Sequence, residues 1–234
     1  MLIAALITVA PLLAAGAPSV FEDSIAQRTL ACTACHGKEG RAAPDGFYPR
    51  IAGKPAGYLY NQLLNFRDGR RHYGLMARLL DPLSDQYILE IAQYFSGLDL
   101  PYPAPAKIDA PQAVLQRGQA LALQGDASAR VPACVQCHGD ALTGVAPNTP
   151  GLLGLPRDYL SAQLGAWKTG QRRAHAPDCM GEIARQLRTE DVNAVASWLA
   201  AQPLPADPRA VAVLAKPPAI QCGSAMLPAG RPKP

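Results

Sequence analysis

The chain has 234 residues, a formal charge of +4, ordinary apolar content and few aromatic residues. That length exceeds one small domain and suits two domains of about 100 residues each. Its Lys and Arg residues form no concentrated block, which excludes the basic footprint of a nucleic-acid-binding protein.

In chain order, Leu2 to Ala15 come first, an apolar run that ends in small residues (Ala14, Ala15, Gly16, Ala17). The run is shorter than the about 20 residues that cross a bilayer. It reads as the apolar part of a secretory signal within residues 1–20. No Lys or Arg precedes it, and Pro18 disfavours cleavage after Ala17. A retained anchor, with peripheral membrane association, is the alternative.

The pentapeptide Cys32-Thr33-Ala34-Cys35-His36 follows, and Cys134-Val135-Gln136-Cys137-His138 repeats its pattern 102 residues later. Cys-X-X-Cys-His is the attachment site of a c-type haem. Both thiols bond to the porphyrin edge, and the histidine is forced under the iron as its proximal ligand. Two copies imply two covalently bound c-type haems. They also imply attachment outside the cytoplasm, hence export to the periplasm. The haem propionates bring the net charge close to neutral.

Each motif precedes a helical pattern. Pro55 and Pro156 suit the first position of a helix. Tyr58, Leu59, Gln62, Leu63 and Phe66 then recur at helical spacing, and Gly69 and Gly170 supply stops. Met76 and Met180 follow in stretches that read as irregular. Ser84 and Thr189 are candidate N-caps of a last helix, with Asp85, and Glu190 with Asp191, in its first turn. A further helix is expected from Gln112 to Gln124, and no strand pattern of any length is visible.

The Pro-X run from Leu100 to Ala106 favours extended geometry and a semi-rigid spacer. The expected organisation is a first domain over 21–100, a linker over 101–109, a second domain over 110–204 and a Pro-rich basic tail over 205–234. Cys179 and Cys222 are left over from the motifs. In an oxidising compartment such a pair points to a disulfide that pins the tail to the second domain. Two unrelated thiols are the alternative.

The halves align well beyond the motifs. Pro49 to Gly69 match Pro150 to Gly170 at an offset of 101 residues. After a three-residue insertion the offset becomes 104, so Met76 faces Met180 and Ile88 faces Val192. A repeat of this length is a duplicated domain. Only four methionines exist, and the two internal ones fall at equivalent positions. A lone methionine is ordinarily core filler; this matched pair points to distal iron ligands. His72 and His175 are the rival ligands. A thioether raises the potential relative to a second imidazole, and six-coordinate irons leave no open position for catalysis.

Pro49 and Pro150 are placed to aim a carbonyl at the free N–H of each proximal histidine. Arg67, Arg70 and Arg71, with Lys168, Arg172 and Arg173, precede the methionines. They are read by default as solvated charge, the alternatives being propionate neutralisation and docking of an acidic partner. Tyr58 and Tyr159 are read as core or propionate contacts.

The set resembles the dihaem cytochrome c4 family over roughly residues 24 to 204. Its carriers are Cys32 to Gly37, Pro49-Arg50-Ile51-Ala52-Gly53, Tyr58-Leu59, Gln62-Leu63, Phe66 to Arg71, Met76 and the segment from Leu83 to Phe95. The resemblance implies an all-α fold of two class I cytochrome c domains in tandem. They would be related by a pseudo-twofold, with propionates facing across the interface. It also implies a periplasmic electron carrier rather than an enzyme. Its donor would be a membrane quinol-oxidising complex and its acceptor a terminal oxidase or similar protein. The second half departs from the pattern, with Gly151 in place of Arg50 and Cys179 abutting Met180. The competing readings are a cytochrome subunit of a dehydrogenase or reductase complex, and a haem enzyme acting on a small sulfur compound.

Overall fold

In the computed structural model, which describes residues 23–43, 46–218 and 220–228, helices carry nearly all of the regular structure. The N-terminal segment expected over 1–20 lies outside the described residues. The first half contains α1 (Ile25–Arg28), α2 (Leu30–His36), a 3-10 turn (Lys38–Gly40), α3 (Ala56–Arg67), α4 (Gly74–Leu80) and α5 (Asp85–Ser96). The second contains α6 (Gln112–Leu123), α7 (Val135–His138), β1 (Gly144–Val145), β2 (Thr149–Pro150), α8 (Arg157–Lys168), α9 (Cys179–Gln186) and α10 (Thr189–Ala201). In the first half α3 packs on α5; in the second, α10 packs on both α6 and α8.

Local chemistry accounts for several helix ends. Ser84 caps α5, its Oγ accepting from the Tyr87 amide at 3.3 Å. Gly69 and Gly170 follow α3 and α8 in the left-handed region, with φ of +72° and +75°, where only glycine pays no steric penalty. Other ends differ from expectation. Pro55 and Pro156 stand at the cap positions, one residue before their helices, because their extended ψ angles of 136° and 142° are not helical. Thr189 is the first residue of α10, and Arg188 occupies the cap.

Two further corrections concern the segments around the methionines and the strands. Met76 and Met180 lie within α4 and α9, not in irregular chain. Helices of seven and eight residues are too short to display a periodic apolar face. The legible sign of α9 is its cap: Asp178 Oδ1 accepts from the Gly181 amide at 3.0 Å. β1 and β2 pair antiparallel, and Val145 also pairs with Val211 of the tail. Two-residue strands leave no alternation to read.

Each half has its own core. Tyr60, Ile88, Ala92 and Phe95 centre the first; Leu121, Ala122, Val195, Ala196 and Leu199 centre the second. The linker is held rather than free. Arg50 Nη1 and Nη2 donate to the carbonyls of Pro101 and Leu100 at 3.0 and 2.5 Å. The same guanidinium lies 3.8 Å from the centre of the Tyr102 ring.

The α6–α10 crossing needs a glycine. A Cβ at Gly118 would sit 2.1 Å from the Ala194 carbonyl oxygen and 2.7 Å from Trp198 Cβ. Beside it, Arg117 donates to Asp191 at 2.7 Å and to Asp126 at 2.8 Å, and Arg188 donates to Asp191 at 2.9 Å. Asp191 is 1% exposed. These hydrogen bonds, the one from Arg117 foremost, hold its carboxyl at about 2.

Gly118→Ala is expected to destabilise the fold by about 1–3 kcal/mol, the usual range for overpacking, read as a lowered Tm. Asp191 ionises more readily folded than unfolded. Its contribution is therefore present at neutral pH and lost as pH falls from about 4 towards 2. Asp191→Asn is expected to flatten the acid limb of a Tm-against-pH curve over that interval.

Candidate haem sites

The proximal half of each site is built locally. α2 carries Cys32, Cys35 and His36; Cys134 opens α7, which carries Cys137 and His138. Each histidine ring is oriented by a backbone carbonyl: His36 Nδ1 lies 2.8 Å from Pro49 O, and His138 Nδ1 lies 2.7 Å from Pro150 O. A carbonyl only accepts, so each Nδ1 carries the proton and each Nε2 is free to ligate. Burial pushes both imidazoles down from their ordinary range, favouring the neutral form. Burial likewise raises the Cys32 thiol, and the Cys134 thiol to about 11.

The distal candidates come from the short helices α4 and α9. Met76, Met180, both histidines and all four motif cysteines line a single cavity of about 1050 Å3. The structure therefore brings every expected site residue of both halves to one continuous space. The rival His72 also borders it and is exposed, whereas His175 is not among the lining residues.

Where the two halves meet, the repeat closes on itself. The His72 amide donates to Gln171 O at 2.9 Å, and the Arg173 amide donates to Arg70 O at 2.7 Å. These are the same bond twice, related by the 101-residue offset. They flank an antiparallel bridge between Arg71 and Arg172. Arg71 donates to Gln62 Oε1 at 3.1 Å and to Gln163 Oε1 at 2.5 Å. Arg172 donates to both of the same oxygens at 2.8 Å, and to Tyr58 OH at 3.4 Å. Each guanidinium also covers an aromatic ring at equivalent positions, Arg71 over Phe66 at 4.4 Å and Arg172 over Trp167 at 3.7 Å.

The default reading of the basic residues is thus corrected for all but Arg173, which is exposed. Arg172 is only 4% exposed, and burial lowers its pKa. Arg67 pairs with Asp68 and Asp85, Arg70 pairs with Asp68, and Lys168 Nζ donates to the carbonyls of Ala184 and Leu187. Gln62 and Gln163 acquire a role that the sequence did not disclose. The available signal was one polar residue at the same offset on both otherwise apolar helix faces.

The residues present fit haem. Arg172 and Arg71 have no carboxylate partner among the described residues, and the buried Trp167 Nε1 finds no acceptor there. A buried cation without a counter-charge is costly. Propionates of haem bound in the cavity that these residues line would supply both the charge and the acceptors. Arg172→Gln is expected to lower a haem potential in an equilibrium redox titration, because losing a cation stabilises the ferric state. Unchanged potentials would show that Arg172 only joins the two halves.

No protein-family model matches the chain. The chain is 41% identical to the thiosulfate dehydrogenase electron acceptor of Thiomonas intermedia, over 74% of this chain and 79% of that protein. It is 32% identical to cytochrome c4 of Pseudomonas aeruginosa, over 74% and 84%. Among solved structures, cytochrome c4 from Pseudomonas stutzeri matches with a TM-score of 0.64 at 29% identity, covering 76% of this chain and 96% of that one. Thiosulfate dehydrogenase from Marichromatium purpuratum matches with the same TM-score at 34% identity. The match covers 74% of this chain and 36% of that longer one. With its two class I cytochrome c domains and two covalently attached c-type haems, the chain belongs to the dihaem cytochrome c4 family of electron-transfer proteins.

Proposed function

We propose that this cytochrome takes electrons from a thiosulfate-oxidising dehydrogenase in the periplasm and passes them to a terminal oxidase or similar acceptor. The observation that carries the relay is the single cavity shared by two complete sets of candidate ligands. In this reading His36 and Met76 hold the first iron, and His138 and Met180 hold the second. The haem units are residues 21–100 and 110–204, joined by 101–109 and followed by the tail over 205–234. The donor is inferred from the name of the Thiomonas relative and from the match to the Marichromatium enzyme.

Bound haem supplies a reversible one-electron couple. The protein supplies orientation, charge and dryness. Pro49 and Pro150 fix the imidazoles. Methionine ligation raises the potential, which suits an acceptor. Arg71 and Arg172 place positive charge between the halves without conformational work, since both are already hydrogen-bonded in place.

Oxidised protein mixed with thiosulfate and a catalytic amount of thiosulfate dehydrogenase is expected to show both haems reduced in the visible spectrum. Thiosulfate alone should leave it oxidised. Reduction by a quinol-oxidising membrane complex, with none by the dehydrogenase, would overturn the choice of donor.

A further inference from the structure

The tail beyond Leu204 folds back onto the second haem site. Val211 first pairs beside β1: the Ala146 amide donates to Val211 O at 2.8 Å, and the Val211 amide donates to Gly144 O at 3.0 Å. The chain then reaches α9, where Cys222 forms a disulfide with Cys179. The Gly223 amide donates to Pro177 O at 2.9 Å. A Cβ at Gly223 would lie 2.3 Å from Ala176 O, so only glycine allows this approach. Asn148 Nδ2 donates to Ser224 Oγ at 3.4 Å. The Ala225 amide donates to Asn61 Oδ1 at 2.7 Å, crossing to the first domain. Cys222, Gly223 and Ser224 all border the haem cavity.

Cys179 is the first residue of α9 and immediately precedes Met180. The repeat provides an internal control. Leu75 holds the equivalent place before Met76 and is 62% exposed, whereas Cys179 is 6% exposed beneath the tail. No described tail residue is bonded to α4 in this way.

We propose that Cys222, acting through Cys179, is a positioning residue for the second haem, and that the strap from Cys222 to Ala225 secures Met180 on its iron. The proposal rests on the reading of Met180 as ligand. An eight-residue helix is marginal by itself. Opening of its first turn, which holds Met180, would carry the methionine off the iron. The disulfide and the Gly223 bond clamp that turn to a segment itself tied to Asn148 and Asn61. The second methionine is therefore locked, while the first, on unstrapped α4, remains free to dissociate.

Imidazole displaces a methionine ligand only after it leaves the iron, so its binding to the oxidised holoprotein reads out each lock. Wild type is expected to bind in two phases, and Met180→Ala should abolish the slow one. If both phases survive that substitution, Met180 is not a ligand, and the ligand reading fails along with the strap. In Cys222→Ser the slow phase should accelerate about tenfold or more, as loss of a stabilising crosslink implies, with the fast phase unchanged. An unchanged slow phase, or equal acceleration of both, overturns the proposal. The same comparison in folded wild type, its disulfide reduced by a phosphine and capped before haem reoxidation, covers a failure of the variant to fold.

Discussion

Two guanidiniums set into the contact between the halves, with no carboxylate among the described residues to neutralise them, are the constraint on which the rest of the structure depends. Arg71 and Arg172 satisfy their donors on Gln62, Gln163 and Tyr58, but amide and hydroxyl oxygens carry no full charge. Burying such a pair is tolerable only if an anion is buried with it. Both line the cavity, where the propionates of bound haem would supply that anion. Haem attachment would thereby complete the contact between the halves that the clasp sets up.

The clasp is self-complementary because the chain is duplicated. Each half offers the same patch, as in an isologous dimer, so one helix face with its glutamine and one arginine suffices for both sides. Matched amide bonds from His72 and Arg173 set the register. The covalent connection through the linker then fixes which copy is which.

Symmetry fails where the two halves are asked for different things. Gly151 replaces Arg50 because a Cβ there would lie 2.5 Å from Thr143 O, while Arg50 is occupied in gripping the linker. Leu155 replaces Lys54, whose Nζ lies 3.4 Å from Gly151 O across the interface and whose burial lowers its amine to about 8. Cys179 replaces Leu75 and receives the tail. Each departure compensates another element of the same chain, so divergence of the second half records its role in assembly.

The covalent chemistry was legible in the sequence. Cys-X-X-Cys-His acts within five residues, so its geometry needs no tertiary context, and Pro49 and Pro150 lie close enough in sequence to serve the same histidines. The repeat then singled out Met76 and Met180, and the two spare cysteines pointed to each other. The helical setting of the methionines escaped, because seven or eight residues carry too little periodicity. The burial of Arg172, the pairing of Gln62 with Gln163 and the return of the tail to Asn61 were decided only by the tertiary structure. Those contacts join residues about 100 or more positions apart, and whether an arginine is solvated or buried depends on what the other half of the chain places over it.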